Sequence, residues 1–327
     1  MPRICGILSL VKRIQYWLGT GGTAALLLVG CHHQEVNRTA LVVNLDEPTI
    51  SKTAQPPIRL AVTAAFISEA GVGVYEKLAR YLEAQTGYPV KLVSGFSYRT
   101  VDEMLKTGDI AIACVCGLPY VLSQESRNPP TRLMAVPIPL EPRYKGRPVY
   151  FSDIIVRVDS PYRRIEDLKG CVWAYNDELS NSGYNLPRAF LIRKGLHNNF
   201  LGKVIRTGSH EESIRAVATG EADVSAVDSL VLDYERFRGS EYARKVRVIH
   251  SLGPAGIVPV VASRKMDPQQ FNAVRRALLK MHTTPEGKAI LREARLLRFE
   301  TANDSLYNSI REALNLARSK QCMRFEP

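Results

Sequence analysis

Small polar residues are concentrated in one short stretch of the chain, residues 179–186, which reads LSNSGYNL. It follows an apolar run at residues 171–175, so the pattern predicts a strand that ends in a small-residue loop and then turns into a helix. Residues 180–183 are of the types that leave backbone N–H groups free at a helix start, where the helix dipole is positive and hydroxyls add donors. Such a turn can bind an anion, although the same residues also form an ordinary cap on a solvent-exposed helix.

Two α/β units must position this turn. Short apolar runs alternate with helical periodicity after residue 57, which predicts βαβαβ order and sheets flanked by helices. The strands of the two units are predicted at residues 58–62, 90–93, 110–115, 171–175, near Val204 and at 222–227.

A strand at residues 150–158 connects the units, and the C-terminal helices most simply return to the first unit. We therefore expect two lobes, lobe I from residues 58–153 plus 258–327 and lobe II from residues 154–257. About 270 folded residues suffice for two such lobes. The chain would cross between them twice, near residues 150–155 and 253–259, and a cleft at such crossings is where ligands bind and hinges close.

The N-terminal segment predicts export. Residues 1–30 carry Arg3, Lys12 and Arg13, no acidic residue, and an apolar stretch that ends LLLVG before Cys31. This is typical of a secretory signal peptide. The residues LVGC resemble the bacterial lipobox, which implies that Cys31 is lipidated and begins the mature chain. An uncleaved membrane anchor is the weaker alternative, because glycines leave the continuous apolar run short of about 20 residues.

Residues 31–57 are polar, end in two prolines and are predicted to link the lipid to the folded body. The pair His32 and His33 has no further ligands nearby and is interpreted as part of this linker rather than a metal site. We expect the protein to be held at a membrane, on its periplasmic or extracellular face.

The distribution of charge argues against a nucleic-acid partner. The chain has 44 Lys+Arg and 32 Asp+Glu, and removal of the three basic residues of the signal leaves 41 against 32, a net charge of +9. The basic residues are scattered among acids, without a basic block or an aromatic-interleaved stripe. The net positive charge supports only a general attraction for anionic solutes or lipid headgroups.

The chain has six cysteines, and four remain to be interpreted once Cys5 in the signal and the predicted lipid site Cys31 are set aside. Cys114 and Cys116 share one face of a strand, a poor zinc half-site, and are interpreted as small buried apolar residues. Cys171 and Cys322 could form a disulfide in an oxidising compartment, and the sequence leaves this open. No metal or cofactor is expected.

Six runs of sequence, in order and spacing, resemble one known family. They are similar to the phosphonate, phosphite and phosphate type of periplasmic substrate-binding protein of ABC importers, and the resemblance covers roughly residues 58–298. This resemblance implies the type 2 periplasmic-binding fold, in which each lobe is a mixed, mostly parallel sheet flanked by helices, with the oxyanion between the lobes. The runs are YEKLARYLEAQTGYPV, GLPYVL, SDIIVRVDSPYRRIEDLKG, SNSGYNLP, TGSHEESIRAVATGEADVSAVDS and TTPEGKAIL.

The resemblance also assigns ligand-binding residues. Tyr98 and Tyr150 match tyrosines that face the bound anion, and His210 matches a histidine that donates to it. Ser180, Asn181 and Ser182 match a Ser-Thr-Ser turn around the phosphorus oxygens. Asn181 thus replaces a threonine hydroxyl with an amide but keeps a donor.

One departure from the family's pattern bears on the ligand. Leu230 and Val258 stand where binders of aminoalkylphosphonates place carboxylates, which argues against an aminophosphonate. Asp228 is the nearest acid and could accept from a protonated ligand oxygen.

Each assigned residue has a structural alternative. Tyr98 and Tyr150 could be packing tyrosines, whereas His210 and Asp228 could simply cap the helices that follow them.

Two other functions remain open from the sequence. Ser180, His210 and Asp228 follow successive strands, as in a hydrolase, but the G-x-S-x-G elbow and a common triad order are missing. A lipoprotein that senses the same ligand for a membrane signalling protein is the other alternative. The favoured hypothesis is a monomeric binding protein, not an enzyme, that captures a small oxyanion and presents it to an ABC permease.

Overall fold

The computed structural model describes residues 56–63, 71–196 and 199–319. These residues belong to one compact unit, residues 53–327. The predicted signal at residues 1–30, the lipid site Cys31, nearly all of the linker and Cys322 lie outside the described residues. Within the described part of the chain, no helix combines the length and the apolar character needed to cross a bilayer.

Strands and helices alternate through the chain, as the periodicity predicts. The strands are β1 (Ile58–Thr63), β2 (Val90–Phe96), β3 (Ile112–Cys114), β4 (Thr131–Pro139), β5 (Val149–Arg157), β6 (Val172–Tyr175), β7 (Lys203–Arg206), β8 (Val224–Asp228), β9 (Val246–Gly256), β10 (Val260–Ser263) and β11 (Leu296–Glu300). The helices are α1 (Val72–Thr86), α2 (Tyr98–Thr107), α3 (Gly117–Gln124), α4 (Leu186–Arg193), α5 (His210–Thr219), α6 (Ser229–Phe237), α7 (Glu241–Arg244), α8 (Pro268–Lys280), α9 (Pro285–Glu293) and α10 (Asn308–Ser319).

The first sheet has the strand order β11-β4-β10-β3-β1-β2. Its β3, β1 and β2 are parallel, whereas β10, β4 and β11 pair antiparallel. Helices α1, α8 and α9 cover one face, where an apolar core includes Leu60, Leu82, Val274 and Leu291. The fold is the predicted α/β class, with mixed sheets.

The second sheet has the order β7-β6-β8-β5-β9. Strands β7, β6 and β8 are parallel, and β5 and β9 add an antiparallel edge. The turn of interest follows β6, His210 follows β7, and Asp228 is the last residue of β8. Because parallel strands end at the same edge of a sheet, these residues converge there.

Four strands were not among the sequence predictions: β4, β9, β10 and β11. Two of these strands contain residues that disfavour strand structure, namely prolines 137 and 139 in β4 and the Gly253-Pro254 pair in β9. Tertiary pairing overrides this preference, since β4 lies between β10 and β11, and β9 pairs with β5 along most of its length.

The lobe boundaries differ from the predicted ones in two respects. Strand β5 pairs only within the second sheet from Val149 onward, so the first crossing precedes residue 149 instead of falling at 153. Helix α10, assigned to lobe I with residues 258–327, packs on α4 and β9 of the second lobe as well as on α3. Its contacts include the bond from Asn185 Nδ2 to the Ile310 carbonyl oxygen at 3.3 Å. The second crossing, at residues 257–259, lies beside it, where the Tyr307 hydroxyl donates to the Ile257 carbonyl oxygen at 3.0 Å.

Candidate anion-binding site

The small-residue turn forms one π-helical turn, Asn181–Asn185, that leads directly into α4. Ser180 caps it, because its Oγ accepts the Gly183 N–H at 3.0 Å. Residues 180–182 are fully buried, which excludes the solvent-exposed cap. Gly183 is required for packing, since a Cβ at this position would collide with the Asn176 side chain.

His210 is the first residue of α5 and lies under the turn, 1 % exposed. Its Nδ1 accepts the Asp228 N–H at 3.3 Å, so the ring proton resides on Nε2. Nε2 lies 3.4 Å from Ser180 Oγ and 3.3 Å from Ser182 Oγ. Burial lowers the pKa of His210 to about 3, so the ring is a neutral donor at physiological pH.

Asn176 follows β6 and was not predicted from the sequence. Its Nδ2 lies 3.2 Å from His210 Nε2, and its buried Oδ1 has no hydrogen-bond partner among the described residues. Because Nε2 carries the proton, rotation of the amide to present Oδ1 would satisfy both groups. Asn176 therefore helps to hold the imidazole. An asparagine directly after a strand of this sheet was the available signal in the sequence.

Two tyrosines complete the cluster. The Tyr150 hydroxyl accepts from Asn181 Nδ2 at 2.8 Å, whereas the Tyr98 hydroxyl is buried with no partner among the described residues. Burial raises the pKa of both tyrosines well above the ordinary value, and repulsion from Cys116 and Asp228, which are ionised only at high pH, raises it further. Both hydroxyls thus stay protonated and can donate.

Cys116 connects the tyrosines to the turn. It is buried, packs against Tyr98, and its Sγ accepts the Asn181 N–H at 3.3 Å. Burial raises its pKa to about 11, so it is a neutral thiol and behaves largely as the predicted small apolar residue. The contact with Asn181 joins the two lobes, which the sequence pattern did not reveal.

Asp228 ends β8 and caps α6, with Oδ1 accepting the Leu230 N–H at 2.8 Å. Burial raises the pKa of this carboxyl to about 8, against the lowering effect of the backbone N–H groups of Leu230 and Val231. Asp153 and Asp233 raise it further. At neutral pH Asp228 is therefore mostly protonated and can coexist with an anion.

The fold thus brings all seven predicted residues into one buried cluster. The hydrogen bonds described above form two groups, one of Ser180, Ser182, His210 and Asp228 and one of Tyr150 and Asn181, which meet in the turn itself. Tyr98 joins through its packing on Cys116. Every group of the cluster is neutral in its dominant form, and several are donors without a strong acceptor. Such a cluster can surround a small oxyanion with hydrogen bonds.

Comparison with known proteins gives a consistent assignment. Residues 60–307 match the family model described as ABC transporter, phosphonate, periplasmic substrate-binding protein. The chain is 25% identical over 172 residues to the phosphonates-binding periplasmic protein of Escherichia coli strain K12, an alignment that covers 51% of each protein. It is 28% identical over 221 residues to the phosphate-import protein PhnD of Mycolicibacterium smegmatis, covering 62% of this chain and 68% of that protein. The chain therefore spans about half to two thirds of the length of these relatives.

Solved structures agree on the fold. The binding protein component of an ABC phosphonate transporter from Pseudomonas aeruginosa superposes with a TM-score of 0.74 at 21% identity, covering 82% of this chain and 88% of that one. PhnD1 from Prochlorococcus marinus, in complex with methylphosphonate, gives a TM-score of 0.69 at 18% identity, covering 82% and 100%. At these identities the likeness establishes the type 2 periplasmic-binding fold. With the family match over most of its length, the chain belongs to the periplasmic substrate-binding proteins of ABC phosphonate transporters.

Proposed function

We propose that this protein is an exported, lipid-anchored and monomeric receptor that captures a phosphorus oxyanion between its lobes and delivers it to an ABC permease. The observation that carries the proposal is the buried cluster of neutral donors in which the Tyr98 hydroxyl has no partner among the described residues. The relatives support the ligand class, since one is a phosphate-import protein and another is in complex with methylphosphonate.

The energetics of burial favour a ligand at this position. A buried donor without a partner costs about 1–3 kcal/mol, and native proteins rarely tolerate it without a reason. An oxyanion would accept from the Tyr98 and Tyr150 hydroxyls and from His210 Nε2, and charge-assisted bonds of this kind are about twice as strong as neutral ones. Closure of the lobes would strengthen them further by excluding water.

The same geometry argues against the hydrolase alternative. In a catalytic triad the acid holds the Nδ1 proton so that Nε2 can accept a proton from serine. Here Nδ1 accepts the backbone N–H of Asp228, and the Asp228 carboxyl binds the Leu230 N–H instead. The proton is therefore on Nε2, the tautomer that donates to a ligand rather than the one that activates a serine.

Isothermal titration with phosphate, phosphite and methylphosphonate tests the proposal. Ser182→Ala and His210→Ala should each weaken binding of the preferred anion by about 1–3 kcal/mol, the cost of losing a donor to a charged partner. Ser225→Ala is the matched control, because Ser225 is equally buried but donates to the Ala174 carbonyl oxygen in the sheet. If both site variants bind as tightly as the control, the assignment of the site is wrong.

A further inference from the structure

A second space lies between the lobes. It is a cavity of about 140 Å³ whose wall on the first lobe is mostly apolar and includes Val74, Leu78, Val260, Met281, Ile290 and Phe299. Its wall on the second lobe comes from α6, through Leu230, Val231 and Tyr234. The cavity therefore opens at the same interface as the anion cluster, but its surface has the opposite chemical character.

The cavity and the anion cluster share structural elements. Helix α6 begins at the Asp228 cap, so the residue that bonds to Asp228 through its N–H, Leu230, is also a wall of the cavity. On the first lobe, Cys114 lines the cavity and Cys116, two residues later, contacts the turn at Asn181. On each lobe, a residue of the cavity wall thus lies two positions along the chain from a residue at the anion cluster.

No charge in the described cavity wall is left to receive an ionic substituent. Glu141 and Arg295 pair with each other at 2.7 Å, and Glu235 pairs with Arg238 at 2.6 Å. Glu141, Glu235 and Arg295 are the charged residues of the described wall, and each already has an ion-pair partner. An ammonium group in this cavity would lose its hydration without gaining a free carboxylate, which is costly.

We propose that the ligand is a phosphorus oxyanion that carries an apolar substituent of about the size of a benzene ring, with the oxyanion at the His210 cluster and the substituent in the cavity beside Leu230. This inference rests on the proposed function and narrows its substrate class. An apolar cavity of roughly 150 Å³ in another protein stays dry and binds benzene, so a space of this size and lining fits a phenyl ring or a short alkyl chain. Inorganic phosphate or phosphite would leave the cavity empty and its apolar surface unused.

Titration of the full chain with phosphate, methylphosphonate, 2-aminoethylphosphonate and phenylphosphonate tests this inference. Phenylphosphonate should bind roughly 10- to 100-fold more tightly than methylphosphonate, as expected for burial of one aromatic ring. 2-Aminoethylphosphonate should be no better than methylphosphonate. Equal affinity for phenylphosphonate and methylphosphonate overturns the inference and leaves the proposed function intact, whereas binding of none of the four overturns both.

Two variants fill the cavity from α1. Val74→Phe and Leu78→Phe should each remove most of the preference for phenylphosphonate while leaving the affinity for methylphosphonate within about twofold. Leu316→Phe, at a partly buried leucine of α10 outside the cavity, is the control and should keep the preference. Retention of the preference in both filled variants contradicts the location, and if neither variant folds, the ligand series on the unmodified chain decides alone.

Discussion

Asp228 offers the sharpest test of how the site accommodates an anion. The carboxyl is 1 % exposed, and burial raises its pKa to about 8. In its protonated form it can share the site with an oxyanion, whereas in its ionised form it would repel one. Asp228→Asn keeps the shape of the side chain and an oxygen that can cap α6, but it cannot ionise.

The expected magnitude follows from the pKa. With a pKa of about 8, about nine in ten molecules carry the proton at pH 7, and only about one in eleven at pH 9. If only the protonated form binds, the apparent dissociation constant is divided by that fraction. The ratio of the dissociation constants of the unmodified protein and Asp228→Asn should therefore rise about tenfold between pH 7 and pH 9.

Isothermal titration of both proteins with methylphosphonate at pH 6.5, 7, 8 and 9 measures this ratio. The ionisation of the ligand cancels from the ratio of dissociation constants, because both proteins bind the same ligand species at each pH. A ratio that stays constant from pH 6.5 to 9 would refute the reasoning, since Asp228 would then either not titrate in this range or not face the anion.

The unliganded proteins give an independent check of the same pKa. A carboxyl with a raised pKa ionises more readily in the unfolded chain, so its burial imposes no penalty below about pH 4 and a growing penalty up to about pH 8. The thermal midpoint of Asp228→Asn should accordingly exceed that of the unmodified protein by an amount that grows from pH 4 to 8 and then levels off. A difference that does not change with pH would contradict the raised pKa.

Three further predictions concern individual side chains. Tyr98→Phe should leave the free energy of unfolding unchanged or slightly increased, because the hydroxyl has no partner among the described residues, yet weaken anion binding by about 1–3 kcal/mol; denaturation and titration of the same variant separate the two effects. Gly183→Ala should abolish binding measured by titration, since its Cβ would displace Asn176 and the turn. Arg143→Ala should lower the free energy of unfolding, measured by chemical denaturation, by about 3 kcal/mol, because the guanidinium donates hydrogen bonds of 2.8 and 2.9 Å to the fully buried Asp153 carboxylate. An unchanged denaturation midpoint would show that Asp153 does not need these two bonds.

The predictable part of the fold is the part with local periodicity. The alternation of apolar runs and amphipathic helices identified the parallel strands of both lobes, because period-2 and period-3.6 patterns reflect which face of an element is buried. Strands β4 and β9 were missed since their prolines and glycine disfavour strand structure locally, and only pairing with distant strands determines them. The position of α10 across both lobes likewise depends on contacts that have no local signature.

The same division holds for the site. Residue type and position after a strand were enough to select the turn with Ser180 and Ser182 as a candidate set of donors. The resemblance to the family added His210 and the two tyrosines. The sequence could not determine the tautomer of His210, the unpartnered hydroxyl of Tyr98 or the raised pKa of Asp228. Each of these depends on burial and on a partner distant in the chain, so each arises only when the lobes come together. The apolar cavity is also a property of that assembly, since its two walls come from separate lobes and neither encloses a space by itself.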